Sequence, residues 1–230
     1  MAQPRILIIE DERGLTQSLS WFFKREGYEV TVADDGREGL HKAQTALPDV
    51  VLLDVMLPGM NGLDVCRELR AGDRTRDIPV IMITAKTEET DQVVGYSLGA
   101  DDYVGKPFSN KVLLAKVKAL LRRVEGQDAP GDVTENSGVK IDRVRHRVTL
   151  EDEPLDLTPT EFSLLELLMR HAGQVVTRRM LCEHLWEVDW EGTTNVIEVH
   201  VNRLRNKLDK LVPTPMIETV RGRGYAVRAS

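Results

Sequence analysis

Glu10 and Asp11, Asp54, Thr84 and Lys106 lie far apart in the chain, yet each ends or follows a short apolar run. Glu10 and Asp11 come after Ile6-Leu7-Ile8-Ile9, and Asp54 ends Val50-Val51-Leu52-Leu53. Thr84 ends Val80-Ile81-Met82-Ile83, and Lys106 trails Tyr103-Val104. Three carboxylates brought together raise one another's pKa unless a cation sits among them. Oxygen ligands with room for water suit Mg2+. A cation flanked by Asp54, a lysine and a hydroxyl describes a phosphoryl site. A carboxylate would be the nucleophile, and Lys106 and the metal would neutralise the moving oxygens. The chain has neither GxxxxGK[ST] nor GxGxxG, so it has no loop built to cradle a nucleotide. The phosphoryl group must then come from a donor presented by a partner.

Each residue also has a plainer reading. Asp11 and Thr84 alone would be helix caps, and Lys106 alone a surface lysine. Asp54 resists this, because a carboxylate after four apolar residues needs a partner. Five such residues at the ends of four runs favour a site.

The runs read as strands of a doubly wound α/β sheet. They are continuous rather than alternating, so both faces are buried. Helical patterns follow them: Leu15 to Phe23, Gly36 to Leu47, Val65 to Ala71, Thr87 to Leu98, and Leu113 to Leu121. Five β-α units predict a parallel sheet with ligands at the carboxyl ends of its strands. Glu125 to Ser137 is Gly/Pro/Asp-rich and reads as a linker. Short strand signals follow at Val139 to Ile141, Arg147 to Leu150 and Pro154 to Leu157. Thr158-Pro159-Thr160-Glu161 spells a capping box with proline at the first helical position. Thr177 and Thr194 cap two more helices, and a hairpin ends the chain around Gly222-Arg223-Gly224. This α+β pattern fits a winged helix-turn-helix. The expected division is 1–123, a linker at 124–134, and 135–230.

The 230 residues carry a net charge of −6, which excludes a uniformly basic nucleic-acid coat. Between His200 and Arg228, however, seven basic residues face two acids. The helix from Thr194 to about Lys210 has an apolar stripe of Ile197, Val201, Leu204, Leu208 and Leu211. Its other side is expected to present Asn195, Val199, Asn202, Arg203 and Asn206, flanked by His200, Arg205 and Lys207. Asn and Arg read adenine and guanine edges, and Val199 suits a thymine methyl. Arg221 and Arg223 add a basic hairpin tip for phosphate or the minor groove. The longest run without Asp, Glu, Lys or Arg is ten residues, too short to span a membrane, and the N-terminus does not read as a secretory signal. Cys66 and Cys182 are far apart and read as reduced thiols of a cytoplasmic protein.

The motifs IIEDE, LLDVMLPGMNG, ITA, GADDY and KPF resemble the receiver domain of two-component response regulators, a CheY-like fold, over residues 4 to about 123. LTPTEFSLLELL, LCEHLW, VIEVHVNRLRNKL and VRGRGY resemble the OmpR/PhoB winged-helix domain over about 135–228. The resemblance implies a DNA-binding transcription regulator rather than an enzyme. Its receiver would assist its own aspartyl phosphorylation and dephosphorylation. Asp54 would accept a phosphoryl group from a sensor histidine kinase. Asp11 and Asp54 would ligate Mg2+ directly, Glu10 through water, and Met56 by its carbonyl. Thr84 and Lys106 would contact the phosphoryl group beside small Ala85, Tyr103 would be the aromatic switch, and Lys106-Pro107 would be cis. The helix from Thr194 would enter double-stranded DNA with Arg178 nearby, and the Trp186–Gly192 loop would face RNA polymerase. Asp101, Asp102, Lys116, Arg122 and Arg123 would line a face that pairs two phosphorylated copies. Gln92 and Val112 stand where that family has an Arg–Glu pair, and Asn195-Val196 and Asn202 stand where it has Arg-Thr and Arg. Three other classes remain. A Mg2+ phosphatase would need a DxD-like pair, where the chain has Asp54-Val55-Met56. A flavin module would need a Ser/Thr-rich phosphate loop. A protein-binding adaptor would ignore salt when offered duplex.

Overall fold

The computed structural model describes residues 3–85, 98–125, 133–136, 138–143, 147–186, 195–209 and 215–229. The chain divides into two compact units, Met1–Leu121 and Arg122–Ser230.

In the first unit β1 (Arg5–Ile9), β2 (Glu29–Ala33), β3 (Val50–Asp54), β4 (Val80–Thr84) and β5 (Asp102–Gly105) form a parallel sheet. Its strands are parallel, as the apolar runs predict, and their order is β2-β1-β3-β4-β5. Every residue of β3 and β4 is buried, which requires cover on both sheet faces. The described helices are α1 (Arg13–Arg25), α2 (Gly36–Ala46), α3 (Gly62–Ala71) and α4 (Asn110–Glu125). The helix expected over 87–98 lies outside the described residues except at Leu98. Asp35 starts α2 by accepting from the Arg37 and Glu38 amides at 2.8 and 2.9 Å. Asn61 starts α3 by accepting from the Asp64 amide at 2.9 Å. Ile6, Ile8, Leu52, Ile81, Phe23 and Leu113 share one apolar core. The strand order reverses at β1, so the crevice lies at the carboxyl ends of β1 and β3.

The second unit opens with an antiparallel sheet of β6 (Val133–Asn136), β7 (Val139–Asp142), β8 (Arg147–Leu150) and β9 (Glu153–Leu155). Then come α5 (Pro159–Arg170), β10 (Val176–Thr177), α6 (Arg178–Trp186), α7 (Asn195–Leu208), β11 (Ile217–Val220) and β12 (Gly224–Val227). The capping box at Thr158 and Glu161 is present, with Pro159 in the first turn. Gly224 lets β12 approach β10, because a Cβ there would lie 2.1 Å from the Val176 carbonyl. The segment read as a linker is partly structured: α4 runs to Glu125, and β6 pairs with β7 from Val133↔Asp142 to Asn136↔Val139. Cross-strand pairing outweighed the Gly/Pro/Asp-rich context. The third strand signal begins at Glu153 rather than Pro154 and ends at Leu155.

Candidate functional site

The three acids expected at one sheet rim meet there. One oxygen each from Glu10, Asp11 and Asp54 lies within 4.8 Å of the others. Glu10 and Asp54 are buried, and Asp11 is exposed. Asp11 does not cap α1; that position belongs to Glu12, which makes no side-chain cap bond. Glu10 instead accepts from the Glu12 amide at 3.2 Å, which fixes the turn into α1.

Lys106 joins the cluster from the end of β5. Its Nζ donates to Asp54 Oδ2 at 2.6 Å and to Glu10 Oε2 at 2.8 Å. The Met56 amide donates to Asp54 Oδ1 at 2.9 Å, so both carboxylate oxygens of Asp54 are oriented. Lys106 reaches the rim because its amide continues the strand pairing, donating to the Thr84 carbonyl at 2.7 Å; its bond to Pro107 is cis. Gly62 packs on the loop after Asp54, where a Cβ would meet the Asp54 carbonyl at 2.0 Å. Thr84 and Tyr103 are buried, and Ala85 and the Met56 side chain are exposed.

The electrostatics follow from crowding. Burial pushes the Glu10 carboxyl above its ordinary range; the Lys106 hydrogen bond lowers it, and the Asp54 charge raises it again. Burial alone would lower Lys106, but its bonds to Asp54 and Glu10 hold it above the ordinary lysine value. Two buried carboxylates thus share one ammonium, with Asp11 beside them. The donors are hard oxygens with one exposed edge at Asp11, which fits a divalent cation that keeps its water.

The GADDY acids behave differently from expectation. Asp101 is fully buried, paired with Arg70 at 2.8 Å and accepting from the Val80 amide at 2.9 Å. Arg70 also donates to the carbonyls of Gly99, Arg76 and Ile78. Asp102 is buried and held by Lys116 at 2.8 Å. Asp101, Asp102 and Lys116 therefore do not form an open pairing face; a buried carboxylate takes an internal cation first. Arg122 and Val112 are exposed. Nothing is described of the Arg123 side chain, and Gln92 lies outside the described residues.

The second unit places α7 with Ile197, Val201, Leu204 and Leu208 buried, as the stripe requires; Leu211 lies outside the described residues. Asn202 and Asn206 are exposed and Val199 half-buried. His200 is not on that face. It follows Ile197 by three positions, so the helical period turns it inward, where it is buried 5.7 Å from the Trp186 ring. Arg203 also turns inward, to Glu161 at 3.0 Å, and Lys207 reaches Glu161 at 2.6 Å. Arg205 donates to the Ile217 carbonyl at 3.0 Å and to Thr219 at 2.7 Å, tying α7 to β11. Arg178 pairs with Glu198. Arg221 and Arg223 are exposed at the hairpin tip. Thr194 and 187–193 lie outside the described residues, as does the Asn195 side chain.

Sequence reasoning missed the clamps of Arg70 on Asp101 and of Glu161 on Arg203 and Lys207. The capping box already accounted for Glu161, which left no signal that its charge had a second use.

Residues 6–118 match the family described as "Response regulator receiver domain", and 152–227 match "Transcriptional regulatory protein, C terminal". The chain is 46% identical to sensory transduction protein RegX3 of Mycolicibacterium smegmatis, covering 96% of this chain and 97% of that one. It is 45% identical to DNA-binding response regulator MtrA of the same organism, covering 96% and 95%. Among solved structures, response regulator DrrB, a Thermotoga maritima OmpR/PhoB homolog, aligns with a TM-score of 0.53 at 30% identity, covering 99% and 100%. No described helix is long and apolar enough to cross a membrane.

Proposed function

Since the chain belongs to the two-component response regulators of OmpR/PhoB type, we propose that Asp54 is its phosphoacceptor and that α7 and the β11–β12 hairpin carry its DNA contacts. The observation that carries the first part is Lys106 held at 2.6 Å from Asp54 beside two more acids. Asp54 attacks the phosphorus of a phosphohistidine on a sensor kinase. The new O–P bond replaces the N–P bond, and the histidine nitrogen retains the electron pair and takes a proton. Lys106, bonded to the Asp54 carboxylate, would pass from it to a phosphoryl oxygen. Mg2+, held by Glu10, Asp11, Asp54 and the Met56 carbonyl, would supply charge neutralisation at that group.

Phosphorylation then adds charge where Thr84 and Lys106 face it. Thr84 moves toward the new oxygens and Tyr103 repacks behind it, with Ala85 leaving room, which shifts the population toward the output state. Pairing of two phosphorylated copies would link two half-sites and raise operator affinity through effective concentration. Exposed Arg122 on α4 supports such pairing, while exposed Val112 stands where the family has a charged partner. Cytoplasmic residence and contact with RNA polymerase complete the reading.

The test is incubation with acetyl phosphate and Mg2+, followed by selection from a random duplex pool. Retention of selected duplex should rise with phosphorylation and fail to rise in Asp54→Asn. An identical response in that variant would remove Asp54 from the switch.

A further inference from the structure

Glu161 is fully buried in the first turn of α5. Its Oε2 accepts from the Thr158 amide at 2.9 Å, which completes the capping box. A neutral glutamine oxygen would serve that bond equally well. The charge has other partners. Lys207 donates to Oε2 at 2.6 Å and to the Asp156 carbonyl at 2.7 Å. Arg203 pairs with Oε1 at 3.0 Å. Burial pushes this carboxyl up, but the charges of Arg203 and Lys207 outweigh it and hold the group below the ordinary range.

Arg203 and Lys207 stand one turn apart on α7, beside exposed Asn202 and Asn206. On a helix that enters DNA, free cations at such positions would take phosphates. Swinging either one out would leave a buried carboxylate short of a partner. That penalty exceeds what one exposed phosphate contact returns. We infer that Glu161 is a specificity-determining positioning residue: it holds Arg203 and Lys207 off the DNA phosphates and leaves base choice on α7 to its asparagines. This rests on α7 being the DNA-reading helix. It makes the salt dependence of binding shallower than the basic residues of α7 imply, because fewer counterions are released.

The test uses the full chain and a duplex selected from a random pool, with affinity measured from about 50 to about 200 mM KCl. Lys207→Gln should leave the slope of log K against log salt at the native value. Glu161→Gln removes the charge that holds both cations inward and should steepen it by up to about 1.8, with random duplex gaining more than selected duplex. A purely structural role would lower both affinities together and leave the slope alone, which overturns the inference. So would Lys207→Gln flattening the slope by about 0.9, the signature of a lost phosphate contact. Should Glu161→Gln fail to fold, Lys207→Gln decides by itself. Failure of the native chain to bind any duplex at low salt would instead overturn the reading of α7, and this inference with it.

Discussion

Lys106 Nζ lies 2.6 Å from Asp54 Oδ2, joining residues 52 positions apart at the rim of one sheet. The same ammonium serves Glu10, so a single cation balances two buried carboxylates. Removing it in Lys106→Met leaves those carboxylates facing each other. The variant should lose about 2–4 kcal/mol of stability without divalent ions. Added Mg2+ should restore more of its melting temperature than it adds to the native chain. Equal Mg2+ shifts in both proteins would separate Lys106 from the proposed cation site.

Asp101 and Arg70 make a second buried pair, at 2.8 Å. Asp101→Asn should cost about 3–5 kcal/mol, because Arg70 is then left without its counter-charge. Urea unfolding would record this as a lower midpoint. A native midpoint with altered sedimentation of the phosphorylated chain would return Asp101 to the pairing face.

Glu161 gives the second unit a pH dependence of known sign. Its folded pKa lies below the ordinary 4.5, so its contribution is present above that pH and is lost as pH falls through the folded value. Stability of the native chain should drop between about pH 5 and about pH 3 more steeply than that of Glu161→Gln. Parallel curves for the two would show that the ionised carboxyl adds nothing.

Asn202 is exposed on α7, where the resemblance places an arginine in the family. An asparagine pairs with adenine and an arginine with guanine. Asn202→Arg should exchange adenine for guanine at one operator position, a discrimination of about 1–3 kcal/mol. An unchanged base preference in selected sequences would move Asn202 off the reading face.

How much of this was readable beforehand depended on period and neighbourhood. The sheet was readable because Val50-Val51-Leu52-Leu53 and its companions are aliphatic throughout, and such runs are buried on both faces. The acid site was readable because Glu10 and Asp54 come immediately after those runs, so topology alone gathers them. The strand at Val133–Asn136 was not, since its signal depends on pairing with Val139–Asp142. The destinations of Arg203, Arg205 and Lys207 were also hidden. The apolar stripe locates the core side of α7, but long side chains beside that stripe reach acceptors on other elements. His200 was misplaced for a simpler reason: its position three after Ile197 already belonged to the buried side.

The most direct measurement is the location of the phosphoryl group itself. The chain would be phosphorylated with acetyl phosphate and Mg2+, reduced with borohydride, digested and analysed by mass spectrometry. Reduction of an aspartyl phosphate leaves homoserine, which is expected at Asp54 alone. Homoserine at another carboxylate, or full labelling of Asp54→Asn, would contradict it.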